Sequence, residues 1–425
     1  MFVFRHSLMK SNRDLLQGLL YYIQLYFLPL LSTLTPYSFF FALQGLFSYL
    51  NKRSHRRWIS SGVIVLLANS VLLQISTDGR ISQHGDVVIN TWPFVNATRA
   101  GFEALQRSGS RTHALDAITE GCNRCEVDQC DFTVGYGGSP DSKGETTLDA
   151  MILDGSTMEM GAVAQLRRVK PAIRVARAVM EHSSHSILAG DGALAFAKMM
   201  GFEETSLSTR HTREVYKRWQ DSKCQPNYFR NVHGQNTSCP PYRPFVLSDS
   251  VYMEELQGES LLLPTNRQNP VDMEKLISTE NHDTIGMVAL ADSGHMTAGT
   301  SSNGATHKIA GRVGDAAVSG AGAYVDSSIG GAAATGDGDV MMRFLPSFVA
   351  VQEMKRGVHP QTACEHALRQ IAAVYPHFLG GMVCLNRFGE YGGAGYGWNF
   401  AYSVQTSGMS EPKVEHVTPL THAPS

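Results

Sequence analysis

A β-hairpin pattern in the second half of the chain restricts the possible folds more than any other sequence feature. Residues 284–291 read Thr-Ile-Gly-Met-Val-Ala-Leu-Ala, an apolar run typical of a buried strand. Residues 292–294, Asp-Ser-Gly, have turn chemistry, and residues 295–301 predict the second strand. Through the rest of the body, strand and helix patterns are joined by hairpins and not by regular crossovers. The sequence therefore predicts an α+β fold in which a pair of sheets is flanked by helices.

Periodicity places further elements along the body. Strand patterns occupy residues 132–136, 148–153, 158–164, 186–189, 381–387 and 398–404. Helix patterns occupy residues 98–106, 114–120, 171–181, 193–199, 214–220, 340–356 and 361–374. Pro346 is expected to kink the helix in which it lies. The glycine-dense stretch between the hairpin and that helix receives no regular element.

The chain carries a formal net charge of −2, and 17% of its 425 residues are charged. These values exclude charge-driven disorder, a coiled coil and a basic nucleic-acid-binding protein, so we expect no nucleic-acid partner. The chain is long enough to bury a full hydrophobic core, as one large domain or two small ones.

Residues 1–86 predict a hydrophobic leader. No charged residue occurs from Leu15 to Leu50, a basic cluster follows at residues 52–57, and a second apolar run extends from Trp58 to Leu73. The second run with its basic flank has the form of a signal peptide. The first run is long enough to span a bilayer, although two prolines interrupt it. We favour a signal peptide with extra upstream sequence over a retained membrane anchor. Both interpretations predict entry into the secretory pathway, with membrane contact only through the leader.

The cysteines and two glycosylation sequons agree with a secretory address. Seven cysteines follow the leader, and local pairing predicts three disulfides with one cysteine, Cys122, left over: Cys125–Cys130, Cys224–Cys239 and Cys364–Cys384. A zinc site is disfavoured because no second Cys/His pair stands at finger spacing, so we expect no metal. The sequons predict glycosylation at Asn96 and Asn236 on exposed loops.

Residues 240–281 form a proline-rich segment without a sustained period, which predicts a linker inside the body. Connections of this length without regular structure are uncommon in compact domains, and most of them are functional or disordered.

The dipeptide Asp283-Thr284 joins this linker to the buried strand. A threonine hydroxyl there could attack the preceding carbonyl and transfer the acyl group from nitrogen to oxygen. Hydrolysis of the ester would leave Thr284 with a free α-amine, whose pKa of about 7.7–8.0 suits it to accept the hydroxyl proton. A plain strand entry is the alternative explanation of the same dipeptide.

Two glycine-rich segments downstream carry complementary chemistry. Arg312 and Asp315 offer a guanidinium for a carboxylate and an acceptor for an ammonium, the two charges of an α-amino acid. Thr335 and the Gly336 amide could hold a developing oxyanion. A surface ion pair and a flexible turn remain the alternatives for these segments taken alone.

Motifs in a fixed order connect these segments with the rest of the body. They are Asn90-Thr-Trp-Pro-Phe94, Gly135-Tyr-Gly-Gly-Ser-Pro140, Glu145-Thr-Thr-Leu-Asp-Ala150, Cys224-Gln-Pro-Asn-Tyr228, His282-Asp-Thr-Ile-Gly-Met287, Gly299-Thr-Ser-Ser-Asn-Gly304, Gly311-Arg-Val-Gly-Asp315 and Ala332-Ala-Ala-Thr-Gly-Asp-Gly-Asp339. Together they resemble the aspartylglucosaminidase (glycosylasparaginase) family of N-terminal nucleophile hydrolases, over about residues 87–405.

The resemblance implies a four-layer αββα sandwich and autocleavage between Asp283 and Thr284. The products would be an α chain of residues 87–283 and a β chain of residues 284–425. It also implies hydrolysis of the amide that links N-acetylglucosamine to asparagine, in the lysosome, by an (αβ)₂ homodimer. The partner is then a small glycosylated asparagine substrate, and no cofactor is implied.

The family pattern implies a role for each matched residue. Thr284 is the nucleophile, Arg312 binds the substrate carboxylate and Asp315 its ammonium. Thr335 and Gly336 line the oxyanion site, and Trp92 helps to wall the pocket.

Two positions depart from the family pattern. Ser302 stands where the family usually has a threonine that assists the nucleophile, and a hydroxyl is retained. Asp337 replaces a common asparagine beside the oxyanion segment, which adds a negative charge able to shift the pH optimum. Neither change removes a core catalytic group, so we expect activity to persist.

Two other functions remain as alternatives. One is an isoaspartyl peptidase or L-asparaginase of the same fold, although such relatives are typically cytosolic and lack the Trp92-Pro-Phe94 segment. An uncleaved, non-enzymatic, membrane-tethered glycoprotein would suit the leader but not the complete set of catalytic residues.

Overall fold

The computed structural model describes residues 85–107, 113–244 and 284–421. The strands are β1 (Val87–Thr91), β2 (Leu148–Asp154), β3 (Met160–Leu166), β4 (Ile187–Ala189), β5 (Val232–His233), β6 (Arg243–Pro244), β7 (Ile285–Leu290), β8 (Met296–Ser302), β9 (Ala323–Asp326), β10 (Gly330–Gly336), β11 (Gly380–Asn386), β12 (Tyr391–Tyr396), β13 (Phe400–Thr406) and β14 (Lys413–Val417). The α-helices are α1 (Val95–Gln106), α2 (His113–Asp128), α3 (Ala172–His182), α4 (Gly190–Met199), α5 (Arg210–Asp221), α6 (Gly338–Phe344), α7 (Pro346–Lys355) and α8 (Pro360–Ala372).

Twelve of the strands form one large and one small sheet, and β5 and β6 form a separate two-stranded sheet. The large sheet has eight strands in the order β14-β13-β1-β7-β8-β2-β3-β4, and only the β3–β4 pair is parallel. The small sheet has the order β12-β11-β10-β9 and is antiparallel. β7 and β8 are the predicted hairpin, with Ile285 opposite Ser301. That prediction is confirmed.

The two sheets pack face to face, with helices on their outer sides. Successive side chains of a strand point to opposite faces, and β7 shows both. Val288 faces Gly331 of β10 in the small sheet, whereas Met287 points the other way, against Gly121 of α2. Helices α1, α2 and α3 pack on the large sheet, and α7 and α8 pack on the small one. The predicted α+β class is confirmed.

Strand β10 lies in the glycine-dense stretch to which the sequence assigned no regular element. Ala333 belongs to the core between the sheets, whereas Ala332 and Ala334 belong to the core beneath α7 and α8. A Cβ added to Gly286 would lie 2.8 Å from the Cβ of Ala333. The small residues therefore allow the two sheets to approach closely, and this packing overrides their low strand propensity.

Two local predictions are wrong. The strand predicted at residues 132–136 is a 3₁₀ turn, Cys130–Phe132, followed by bends. Phe132 and Gly135 have positive φ values of 55° and 75°, which an extended strand cannot contain. Pro346 does not kink a continuous helix but begins a new one, because Leu345 is left-handed with φ 52° and ends α6. Proline suits the first helical position, where its missing N–H is not needed.

The three predicted disulfides are present, and Cys122 is unpaired and buried. The predicted leader lies outside the described residues except for 85 and 86, and so does most of the predicted linker, along with Asp283. No helix in the described ranges combines the length and apolar character needed to cross a bilayer.

Candidate active site

Thr284 immediately precedes β7 and is only 2% exposed. The hydroxyl of Thr91, on neighbouring β1, donates to the carbonyl of Thr284 at 2.6 Å. The same hydroxyl accepts from the N–H of Gly286 at 2.9 Å. Because both bonds hold the start of β7, the position of Thr284 is set by the sheet.

Thr335 approaches Thr284 from the small sheet. Its Oγ1 accepts hydrogen bonds from the N–H of Thr284 at 3.0 Å and from the indole Nε1–H of Trp92 at 3.1 Å. A hydroxyl can accept two hydrogen bonds and donate one. Since both partners are donors, neither bond uses the proton of Thr335, which can be donated to a further oxygen.

Trp92 is held in place by other aromatic rings. Its ring centroid lies 5.2 Å from that of Trp398 and 5.4 Å from that of Phe400, both in edge-to-face geometry. The backbone of Trp92 has φ 65°, an uncommon conformation for a large residue. The resemblance implied only that Trp92 lines the pocket. In the structure its indole nitrogen also donates to the Thr335 hydroxyl and orients it.

Gly336 ends β10 in a conformation that requires glycine. Its φ is 130°, and a Cβ there would overlap the carbonyl oxygen of Leu379. A larger residue would therefore displace the backbone beside Thr335.

Arg312 forms a forked ion pair with Asp339. Its Nε lies 3.2 Å and its Nη2 3.1 Å from Asp339 Oδ2, and 12% of the arginine side chain is exposed. Burial alone would lower the pKa of Arg312, but the charge and hydrogen bonds of Asp339 outweigh it and raise that pKa. The guanidinium thus remains charged in a largely buried position.

Asp315 lies close to this guanidinium. It is 3% exposed, and its Oδ2 has no hydrogen-bond partner among the described residues. Burial raises its pKa to about 7, an effect that the positive charge of Arg312 opposes. A Cβ on Gly338 would overlap Asp315 Oδ1 and lie 3.1 Å from Arg312 Nη2, so both side chains converge on Gly338. A bound ammonium would give Asp315 both a hydrogen bond and a counter-charge.

Ser302 ends β8 and is 3% exposed. Its Oγ accepts from the N–H of Gly304 at 2.9 Å. A Cβ on Gly304 would lie 3.0 Å from Arg312 Nη1, so the turn that contains Ser302 also packs against the guanidinium.

Asp337 caps the N-terminus of α6, where its side chain accepts from the N–H of Val340 at 3.2 Å. An asparagine oxygen could make the same bond, so the departure from the family pattern changes charge more than geometry. Burial raises the pKa of Asp337 to about 6, Asp339 adds to the increase, and Arg312 and Arg343 oppose it.

The structure brings most of the predicted residues together. Direct bonds join Thr284, Thr335 and Trp92, and Gly338 links Arg312 and Asp315 to the end of β10. Asp283 lies outside the described residues. The sequon asparagines lie apart from the cluster and are exposed, Asn236 in a turn and Asn96 in the first turn of α1 instead of a loop.

Sequence reasoning assigned no role to Thr91 or Asp339. Both belong to the quoted motifs, but Asp339 follows Arg312 by 27 residues, so no local signal indicates their ion pair. Nothing local indicates that Thr91 holds Thr284, because the two residues meet only through strand pairing between β1 and β7.

Glu126 is a further buried carboxyl that sequence reasoning missed. It is 2% exposed, and its Oε1 accepts from the hydroxyl of Ser301 at 2.6 Å and from the N–H of Ile173 at 2.9 Å. Burial raises its pKa to about 7. Ser301 precedes Ser302, so Glu126 supports the helix-facing side of the strand that leads into the site.

We expect Glu126 to make the protein more stable in acid than at neutral pH. The folded state binds the Glu126 proton more tightly than the unfolded chain, so this contribution is complete below pH 4.5 and is lost as the pH rises through about 7. The expected loss is about 3 kcal/mol in the free energy of unfolding. Urea denaturation of the Glu126→Gln variant at pH 4.5 and 7.5 measures it, because the variant should lose that much less between the two values.

The exposed Glu103 on α1 provides a matched control. Between pH 4.5 and 7.5, Glu103→Gln should lose as much free energy of unfolding as the unaltered chain. Parallel losses in the unaltered chain and in Glu126→Gln would contradict the assignment to Glu126.

A cavity of about 470 Å³ lies outside this cluster, lined by residues that include Phe132, His211, Trp219 and His307. None of the predicted catalytic or substrate-binding residues lines this cavity. The candidate active site is therefore the hydrogen-bonded cluster around Thr284.

Comparisons with known proteins converge on one family. The family model described as asparaginase matches residues 68–412. The mouse and rat proteins named N(4)-(beta-N-acetylglucosaminyl)-L-asparaginase are each 48% identical over 309 residues, which cover 72% of this chain and 83% of each relative. An Arabidopsis thaliana protein named probable isoaspartyl peptidase/L-asparaginase 3 is 44% identical over 334 residues, 78% of this chain and 90% of that protein.

Proposed function

Because the chain belongs to the asparaginase family of hydrolases, we propose that it hydrolyses the amide bond between N-acetylglucosamine and the side chain of asparagine. In this proposal the chain is an N-terminal nucleophile hydrolase that first cleaves its own backbone between Asp283 and Thr284. Thr284 then acts as the nucleophile and its α-amine as the base.

One observation carries the proposal: the backbone nitrogen of Thr284 lies 3.0 Å from the hydroxyl oxygen of Thr335. The nitrogen that would become the base is thus adjacent to the group that would hold the oxyanion. In the water-poor space between two sheets, such fixed groups stabilise developing charge better than they would in water.

The self-cleavage step needs only the backbone, one hydroxyl and water. The Thr284 Oγ attacks the carbonyl carbon of Asp283, and the acyl group moves from the Thr284 nitrogen to the oxygen. Water then hydrolyses the ester, which leaves a carboxylate on Asp283 and a free amine on Thr284. The two hydrogen bonds between the Thr91 hydroxyl and the start of β7 keep Thr284 in place when the chain is cut.

Substrate hydrolysis then reuses the same oxygen. The α-amine takes the Thr284 hydroxyl proton while Oγ attacks the carbonyl carbon of the substrate amide. The Thr335 hydroxyl and the Gly336 amide donate to the negative oxygen of the tetrahedral intermediate. The protonated α-amine gives its proton to the departing amide nitrogen, so the sugar leaves as a glycosylamine, and water hydrolyses the remaining ester to release aspartate.

Arg312 and Asp315 select the substrate in this proposal. The guanidinium binds the α-carboxylate and the carboxylate of Asp315 binds the α-ammonium. Asp339 already forms a forked pair with Arg312, so it holds the guanidinium in position before the substrate arrives.

We also propose a lysosomal location and an (αβ)₂ assembly. The raised pKa values of Glu126 and Asp337 support the location, because buried carboxyls that hold protons favour the folded state in acid. The three disulfides support passage through an oxidising compartment.

The test is to purify the full chain, run a denaturing gel and assay N-acetylglucosaminyl-asparagine beside an isoaspartyl dipeptide. We expect two bands and release of aspartate from the glycosylated substrate. A single uncleaved band without turnover would support a non-enzymatic glycoprotein instead.

The second candidate function is that of an isoaspartyl peptidase or L-asparaginase. The observation that favours it is the 44% identity to the Arabidopsis protein with that printed name. A higher kcat/KM for the dipeptide than for the glycosylated substrate would establish this alternative and contradict the proposal.

A further inference from the structure

We propose that Gln165 is a positioning residue that sets the selectivity for an α-carboxylate by holding the backbone of Arg312. This inference rests on the proposed function, in which Arg312 binds the substrate carboxylate. Gln165 belongs to β3, lies outside the quoted motifs and is 9% exposed.

Both amide protons of Gln165 have defined acceptors. Nε2 donates to the carbonyl oxygen of Arg312 at 2.7 Å and to the hydroxyl oxygen of Thr147 at 3.0 Å. A side-chain amide nitrogen has two protons, so this pair uses its full donor capacity. The carbonyl of Arg312 can only accept, which fixes the orientation of the Gln165 amide.

Asp149 connects the two ends of this arrangement. Its Oδ1 accepts from the backbone N–H of Gln165 and its Oδ2 from the N–H of Gly314, both at 2.8 Å. The turn from Arg312 to Gly314 is therefore bonded to β2 and β3 at two points, one at the carbonyl of residue 312 and one at the N–H of residue 314.

The guanidinium has little room to move independently of that backbone. Cβ atoms placed on Gly304 and Gly314 would lie 3.0 Å and 2.6 Å from Arg312 Nη1. On the other edge, Asp339 bonds Nε and Nη2. A shift of the residue 312 carbonyl would therefore displace the charged fork or break its bonds to Asp339, and planar carboxylate recognition depends on that geometry.

Gln165 does not touch the groups that perform the chemistry. Its side-chain amide bonds Arg312 and Thr147, whereas Thr284, Thr335 and Trp92 form a separate hydrogen-bonded set. Loss of the amide should thus weaken binding of an α-carboxylate and leave the acyl-transfer step almost unchanged.

The test measures binding of two simple ligands by isothermal titration calorimetry with the full protein. L-aspartate carries an α-carboxylate, and β-alanine is the same molecule without it. In Gln165→Met the amide is lost at similar volume, and we expect the Kd of L-aspartate to rise about tenfold, the effect of one hydrogen bond to an ordered site. The Kd of β-alanine should change less than about twofold.

Two further variants make the result specific. Gln165→Glu keeps the side-chain shape but places an acceptor, in place of a donor, opposite the Arg312 carbonyl. It should lose the discrimination between L-aspartate and β-alanine as well, and it provides the test if Gln165→Met folds poorly. Gln405 is another buried glutamine of the large sheet, on β13, and Gln405→Met should bind both ligands as the unaltered protein does.

For turnover of N-acetylglucosaminyl-asparagine, Gln165→Met should raise KM with little change in kcat. Unchanged discrimination between L-aspartate and β-alanine in both Gln165 variants would overturn the inference, as would an unaltered protein that binds neither ligand. Failure of the unaltered protein to hydrolyse the glycosylated substrate while it binds L-aspartate would instead count against the proposed function, and the binding comparison would still decide the role of Gln165.

Discussion

Replacing Thr284 with alanine is expected to abolish both self-cleavage and hydrolysis of N-acetylglucosaminyl-asparagine. The variant keeps the backbone N–H that donates to Thr335 but loses the hydroxyl that would attack in both reactions. We expect kcat/KM to fall by at least about 10⁴-fold, because the nucleophile of a covalent mechanism has no substitute. A denaturing gel should show one uncut chain, and the release of aspartate should fall to background.

Two variants separate this effect from damage to the fold. Thr284→Ser keeps the hydroxyl and the amine, so it should still cut itself and turn over substrate. Thr297→Ala removes another buried threonine hydroxyl of the large sheet, one with no hydrogen-bond partner among the described residues, and should leave both reactions intact. Turnover by Thr284→Ala would show that another residue is the nucleophile.

Replacing Arg312 with methionine is expected to have the second largest effect, a fall in kcat/KM of about 10³-fold, mainly through a higher KM. The forked guanidinium would make two charge-assisted bonds to the substrate carboxylate, each worth about 1.5–3 kcal/mol. Its removal also leaves Asp339 without its ion-pair partner and raises the pKa of Asp315 further, because Arg312 now opposes that increase. Initial-rate kinetics over a wide range of substrate concentration measure the change.

The kcat/KM of Arg312→Lys should lie between those of Arg312→Met and the unaltered protein. An ammonium keeps the positive charge but loses the forked geometry of the guanidinium. Arg210→Met is the matched control, because that arginine is exposed on α5 and pairs only with neighbouring Glu214 among the described residues. A KM within twofold of the unaltered value in Arg312→Met would exclude Arg312 from substrate binding.

The sequence predicted those parts of the fold whose signals are local. The β7–β8 hairpin has an apolar run on one side of a turn and a small-residue run on the other, and both strands form as expected. The three disulfides join cysteines that are close in sequence, as the expectation of local pairing predicted.

Strand β10 shows why the rest could not be predicted. Its Gly-Ala composition indicates a loop by propensity, and its strand character comes from packing between β7 and the helices α7 and α8. The same applies to the site. Residue types and order indicated Thr284, Arg312, Asp315 and Thr335, but the hydrogen bond from Trp92 to Thr335 arises only where the two sheets meet.

The N-terminal sequence of the purified, active protein tests the central claim most directly. Edman degradation of the separated chains should find one that begins Thr-Ile-Gly-Met, from Thr284 onward. An active preparation in which every chain begins upstream of that threonine would contradict the account, because Thr284 would then have no free α-amine to act as the base.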